Sequence, residues 1–495
     1  MSDPLSTLSP QTAWEPLPKA QWDESAARHL LQRIGFSATP AALVQAQHDG
    51  LGATLDRAFA RMPDFPPPKG ITDLRADLPA LVESIRGTEG AEKRRARQRA
   101  RERSREALAD LTLAWLKHAS RLENSIAEKW LLFLQDIWVV GSDKVKNTIL
   151  IHQHQDILRR HALGSEVALA KAVSRSPAMI VYLDLQESKP KAPNENFARE
   201  LFELFTLGEG HYTENDIKQA ARAFTGYRQR LGEFIEARRQ HDTGRKTVFG
   251  HTGSYNGDGI IDLAFRQPAA GTFLPREMAR FYLTDAPLPG AHLAVLGAWW
   301  AGHDYDLRQL TLRFFGSRLF FAPEFRGNYI KSPVQFYLGL LQDLDLQVMP
   351  VPRYVIGALR QMGQMPFNPP NVRGWVGGRA WINSTTLAAR RQVVNGLLRP
   401  INTEALNADE RHALERAQQE SSVRFSRDEA WFEQWASRPD AELTAQLLAL
   451  AQPSPPSTEL AGQIAAFVRN SGEYRATTVR AALAALLESP GYQLC

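Results

Sequence analysis

The sequence predicts a mainly α protein: a large multi-helix globular fold with one small β-hairpin element and long ordered loops. Two patterns predict it. Apolar residues recur at three- and four-residue spacing through most of the chain, the period of helices with one buried face. The runs close at helix stops such as Gly35, Gly141, Gly164 and Pro177. Against this background β character is confined to a hairpin placed at residues 234–250, around the turn-forming Asp242-Thr243-Gly244. No repeat of 20 to 50 residues suggests a solenoid.

Taken in order, residues 1–25 read as a polar, proline-bearing tail. Residues 26–120 form an N-terminal helical region, opened by SAARHLLQRIGFSATPAALVQAQ and containing an Arg-rich helix or arm at 91–106. Residues 121–400 make the core helical domain. In it His154 and His161 share a wheel face with Leu150, Ile157 and Leu158, as hydrogen-bonded core residues do, while His152 and Asp156 pair on the opposite face, in solvent. Residues 363–384, GQMPFNPPNVRGWVGGRAWINS, are too rich in Gly, Pro and Asn for a helix and read as an ordered loop with a function or a core-plugging role. Residues 401–495 are C-terminal helices packed on the core, with a linker at AQPSPPSTEL.

Composition excludes several function classes. With 43% hydrophobic and 23% charged residues, the chain has the balance of a soluble globular protein. Its one cysteine, Cys495, excludes a disulfide within the chain and any cysteine-built zinc or iron–sulfur centre. The first 25 residues lack the basic start and apolar run of a signal peptide, so the expected location is cytoplasmic. No window has the length of a membrane span. Residues 92–106 hold eight Lys/Arg and three Glu, which accounts for the whole net charge of +5. Such a stretch reads as a solvent-exposed helical extension or a partly disordered arm, or else as an RNA contact. No aromatic residues interleave with the arginines, so nucleic acid is not the expected partner.

The densest polar run is Pro193 to Tyr227, PNENFARELFELFTLGEGHYTENDIKQAARAFTGY. It reads as helix, glycine turn, capped helix, with Thr213 and Asp216 at capping-box spacing. At 100° per residue, Glu195, Asn196, Arg199, Glu200 and Glu203 fall within an arc of about 140°. This face is either a salt-bridge ladder, with Arg199 four residues from both Glu195 and Glu203, or one wall of a site. Helical bundles bind metals through inward-facing Glu residues. On that reading Glu200, Glu203 and His241 are candidate ligands to a divalent metal, and the three with Asp242 are the catalytic candidates. His211-x-x-Glu214 is a weaker match to a ligand pair. Arg199 and Lys246 would hold an anionic group, and Glu195, Asn196, Asn371 and Trp375 complete the binding candidates. Neither a GxSxG, an HExxH nor a phosphate-cradling loop is present.

Several stretches together resemble one bacterial family, named for a domain of unknown function (1800). They are the NENFAREL run with its TGY end, His241 to Gly250, Lys331-Ser332-Pro333, and Gly363 to Ile382. The early HLLQRIGFSATP and the closing SPGYQL agree. The resemblance implies no reaction. It implies that Glu195, Asn196, Arg199, Glu200 and Glu203 are specified as tightly as the apolar residues between them. It also implies envelope biology and a sulfatase-like partner, because members often appear exported and encoded beside one; this chain departs by lacking a visible signal. Relatives carry Phe-Trp-His-x-His-Phe where this chain has Phe133-Leu134-Gln135-Asp136-Ile137-Trp138. Gln135 and Ile137 replace both histidines, which implies altered or absent chemistry there. Three functions are open: a metal-dependent or acid–base enzyme, or degenerate relative, centred on helix 194–207; a non-catalytic helical binding or assembly protein; or an RNA-associated protein using the Arg-rich helix.

Overall fold

The computed structural model describes residues 8–419, 423–451, 457–470 and 472–495. About 65% of the chain is helical, and among the described residues two small antiparallel two-stranded sheets are the β content. The expected linker at 451–460 falls largely on 452–456, outside the described residues. The expected polar tail is described from Leu8. There Ser9 caps a short helix, Pro10–Ala13, and Trp14 is buried, its indole N–H donating to the His292 carbonyl at 2.7 Å. One contiguous apolar core runs from Ala13 to Tyr492.

The helix Ser125–Ile137 is the axis of that core. Every residue from Ala127 to Ile137 is buried, so its polar side chains must be answered inside the protein. Glu128 receives two N–H groups of Arg159 at 2.5 and 3.0 Å and the Trp115 indole N–H at 2.9 Å. The Lys129 ammonium donates to the Gly35 carbonyl at 2.9 Å. His154, as expected, is a core residue: its ring nitrogens meet the Trp138 carbonyl at 2.8 Å and the Ser176 hydroxyl at 3.0 Å. His152 does pair with Asp156, at 3.3 Å, but is itself buried, with Phe65 beside its ring, rather than in solvent.

The arginine stretch belongs to one 30-residue helix, Gly90–Ala119, packed along Lys69–Arg86. Ala96, Ser104 and Ala107 are buried, and Ser104 bonds Thr148. These small residues lie eight and three apart, so they form a docking stripe that a search for large apolar residues passes over.

In place of the hairpin centred on Asp242-Thr243-Gly244, the chain makes two. β1 (Tyr227–Arg230) pairs with β2 (Glu233–Glu236), and β3 (Lys246–Val248) with β4 (His251–Gly253). Their two-residue turns, Leu231-Gly232 and Phe249-Gly250, have positive φ at both positions, as a type I′ turn requires. Asp242 to Gly244 lie in the segment joining the hairpins.

Candidate functional site

The central helix is not a regular α-helix. It is α from Asn196 to Glu200 and π from Leu201 to Thr206, closed by Leu207 N–H to the Phe202 carbonyl at 2.9 Å. A π turn takes in an extra residue and moves the residues beyond it off the α wheel. The expected polar face therefore divides. Glu195 sits at the N-cap. Asn196 is half-buried, its amide nitrogen 3.4 Å from the Leu183 carbonyl. Arg199 passes over Glu203 and reaches Glu214, both N–H to carboxylate distances being 2.8 Å, with Glu195 at 3.4 Å. Thr213 and Asp216 form the expected capping box at the start of Glu214–Ala223, and His211 is exposed.

Glu203, on the π turn, has different partners. It accepts the Tyr212 hydroxyl at 2.7 Å and an N–H of Arg373 at 2.8 Å, and Arg373 also binds Glu209 at 2.9 Å. Arg373 is the Arg of the PPNVRGW run, so this ion pair links loop 363–384 to the central helix. Asn371 is exposed and shapes the loop itself, accepting the Arg373 backbone N–H at 2.8 Å. Trp375 is buried, and its backbone N–H donates to Asp136 at 2.8 Å.

Glu200 differs from its neighbours. Among the described residues its carboxylate accepts no hydrogen bond. Burial raises its pKa, the Glu203 charge raises it further, and Arg373 and Arg199 lower it, with a net rise. Tyr182 feels the same cluster: burial, then Asp143 and Glu200, push its hydroxyl up to about 12.

The hairpin residues are occupied locally. His241 meets the Thr225 carbonyl at 3.0 Å. Asp242 receives two N–H groups of Arg222 at 2.8 and 3.1 Å and the Gly244 backbone N–H at 2.8 Å. Lys246, expected to hold an anion, is buried with its ammonium on the carbonyls of Asp242 and Gly244 at 2.6 and 2.9 Å. Glu200, Glu203 and His241 are not assembled as a ligand set: among the described residues no group of three or more His, Cys, Asp or Glu is placed to hold a metal ion.

A second polar cluster lies behind loop 363–384. Lys129, Asp136, Arg280, Gln364 and Trp375 line a cavity of about 30 Å³, room for about one water molecule. Burial pushes the Asp136 carboxyl up to about 6, against the pull of Arg280 at 3.3 Å, and lowers the Lys129 ammonium to about 7. These residues secure backbone segments in a space too small for a substrate. Lys129 and Asp136 share the buried helix Ser125–Ile137 with Glu128. Gln135 and Ile137 are buried on the same helix, and among the described residues the Gln135 amide nitrogen has no hydrogen-bond partner.

The fold and site define a large helical protein in which the central helix and loop 363–384 are linked by the Arg373–Glu203 ion pair. The chain belongs to the family described as protein of unknown function (DUF1800), whose model matches residues 29–494. No curated protein and no solved structure matches it. Among the described residues, no helix is long and apolar enough to cross a membrane.

Proposed function

We propose that the chain works through one acid–base site, built on Glu200 without a protein-held metal, with Tyr182 and Arg373 beside it. The observation that supports this reading is the contrast within one run. Glu195, Glu203 and Glu214 are answered by Arg199, Arg373 or Tyr212, whereas Glu200 is half-buried, raised in pKa and unclaimed by any donor of the described chain. A carboxyl lifted toward neutrality is suited to both taking and giving a proton. Arg373, held between Glu203 and Glu209, partly offsets the negative charge around Glu200.

Glu200→Gln keeps the shape and removes the titration. Incubated with pooled cell metabolites, the wild-type protein is expected to convert a compound that the Gln variant leaves unchanged. The variant is also expected to melt at a higher temperature at neutral pH. The sign comes from linkage: a raised folded pKa means that the folded state binds this proton more tightly, so ionised Glu200 disfavours folding above that pKa. Equal turnover by both proteins would remove Glu200 from the mechanism.

A second reading, a non-catalytic binding or assembly protein, is favoured by Gln135 and Ile137 standing in place of two histidines and by Lys246 being locked in its own loop. It expects no compound to be converted and a partner recovered with the intact chain.

A further inference from the structure

Sharing no residue with the Glu200 cluster, the N-terminal segment, the helix Pro40–Ala58 and the helices Gly290–Ala301 and Leu307–Phe315 border an open groove of about 900 Å³. This is the size range of small-molecule sites. Trp14, Trp22 and Trp299 line it. The wall formed by Pro40–Ala58 is broken at Gly50, whose φ of 79° departs from helical geometry, and a Cβ added at Gly50 or Gly52 would meet nothing within 4 Å. The groove is therefore wide at this lip.

Its charges are not balanced by use. Asp49 is held well below the ordinary carboxylate range by hydrogen bonds from Gln45, His48 and Arg57, and Asp56 is paired with Arg308 at 2.8 Å. The cations are unspent. Arg313 lies over the Trp299 ring, 4.5 Å from its centroid, and makes no hydrogen bond or ion pair within the described chain; its Nε is buried and unpartnered. Burial holds its guanidinium below the usual value. Lys19, at the rim, has no carboxylate partner, and the Trp299 indole N–H has no acceptor within the described chain. The lining thus offers unused donors beside the indoles of Trp22 and Trp299, with its carboxylates already engaged.

We propose that this groove binds a small organic anion, its apolar body against Trp22 and Trp299 and its charge on Arg313 and Lys19. A guanidinium stacked on an indole is pre-positioned for a carboxylate or phosphate, and partial desolvation strengthens the pairing. This site is separate from Glu200 and does not depend on the reading given for it.

Calorimetric titration of the full chain with 2-naphthoate, 1-naphthyl phosphate and 2-naphthol tests the proposal. At least one anion is expected to bind one to one, about tenfold or more tighter than the neutral naphthol, the effect of one charge-assisted contact. The tighter anion identifies the headgroup. Arg313→Met is expected to remove that advantage while leaving naphthol unchanged. Gly52→Trp, placed where the added side chain has open space, is expected to abolish binding of all three, and Glu200→Gln to change none. Naphthol binding as tightly as both anions, unchanged anion affinity in Arg313→Met or in Gly52→Trp, or no anion binding up to about 1 mM would overturn it.

Discussion

Replacing Arg159 by Met will lower the stability of the folded chain by about 3–5 kcal/mol, the cost of stranding one member of a buried ion pair. Glu128 is fully buried, and Arg159 supplies two of the hydrogen bonds to its carboxylate. His118 lies 3.2 Å from the same carboxylate and Trp115 donates at 2.9 Å, so several segments of the core are held at one point. Urea unfolding measures the loss. The double variant Glu128→Gln, Arg159→Met should recover much of it, because the remaining amide carries no charge to desolvate. The pH dependence has a definite sign. Burial alone would raise Glu128, but hydrogen bonds from His118 and Arg159 outweigh it and leave the carboxyl below its ordinary value. A depressed carboxylate contributes stability above its unfolded pKa, and this is lost as pH falls through the folded one. Wild type should therefore lose this contribution in acid, whereas Glu128→Gln should show a flatter acid limb. A loss under about 1 kcal/mol for Arg159→Met would show that the pair does not anchor the core.

Gly374→Ala should be comparably severe and more local. Gly374 has φ of 76°, and an added Cβ would collide with the Asp136 carboxylate and lie 2.8 Å from the Asp136 carbonyl. Strain of this kind costs about 1–3 kcal/mol at a left-handed position before the collision is counted. The collision falls on the group that holds the Trp375 N–H, so the loop must leave its seat. Trp375, now buried, is expected to become exposed, seen as a red shift in tryptophan emission. Arg373 should withdraw from Glu203 with it. Unchanged emission and stability would mean that loop 363–384 is not held through Asp136.

The helical class is legible because core burial imposes its period on the sequence, and the capping box at Thr213 and Asp216 because its residues are local. The features that escape a sequence reading have non-local causes. The π turn in Leu201–Thr206 leaves no periodic trace over six residues, yet it sends Glu203 to Arg373, 170 positions away, instead of to Arg199. The hairpin turns are missed because Leu231 and Phe249 adopt left-handed geometry that a sequence reading reserves for Asn, Asp or Gly. Lys246 looks free because its acceptors are backbone carbonyls, which no side-chain pattern displays. Of the candidate site residues, Glu200 and Glu203 lie beside Arg373 of the PPNVRGW loop. Asp136 and Lys129 become visible only once burial is known.

The most direct test is the titration of the Glu200 carboxyl, observed by carbon NMR of labelled protein and assigned by its absence in Glu200→Gln. The midpoint should lie above the ordinary glutamate value of about 4.3. It should fall in Glu203→Gln, which removes the neighbouring negative charge, and rise in Arg373→Gln, which removes the positive one. A wild-type midpoint at or below the ordinary value, unmoved by either substitution, would contradict a proton-transfer role for Glu200.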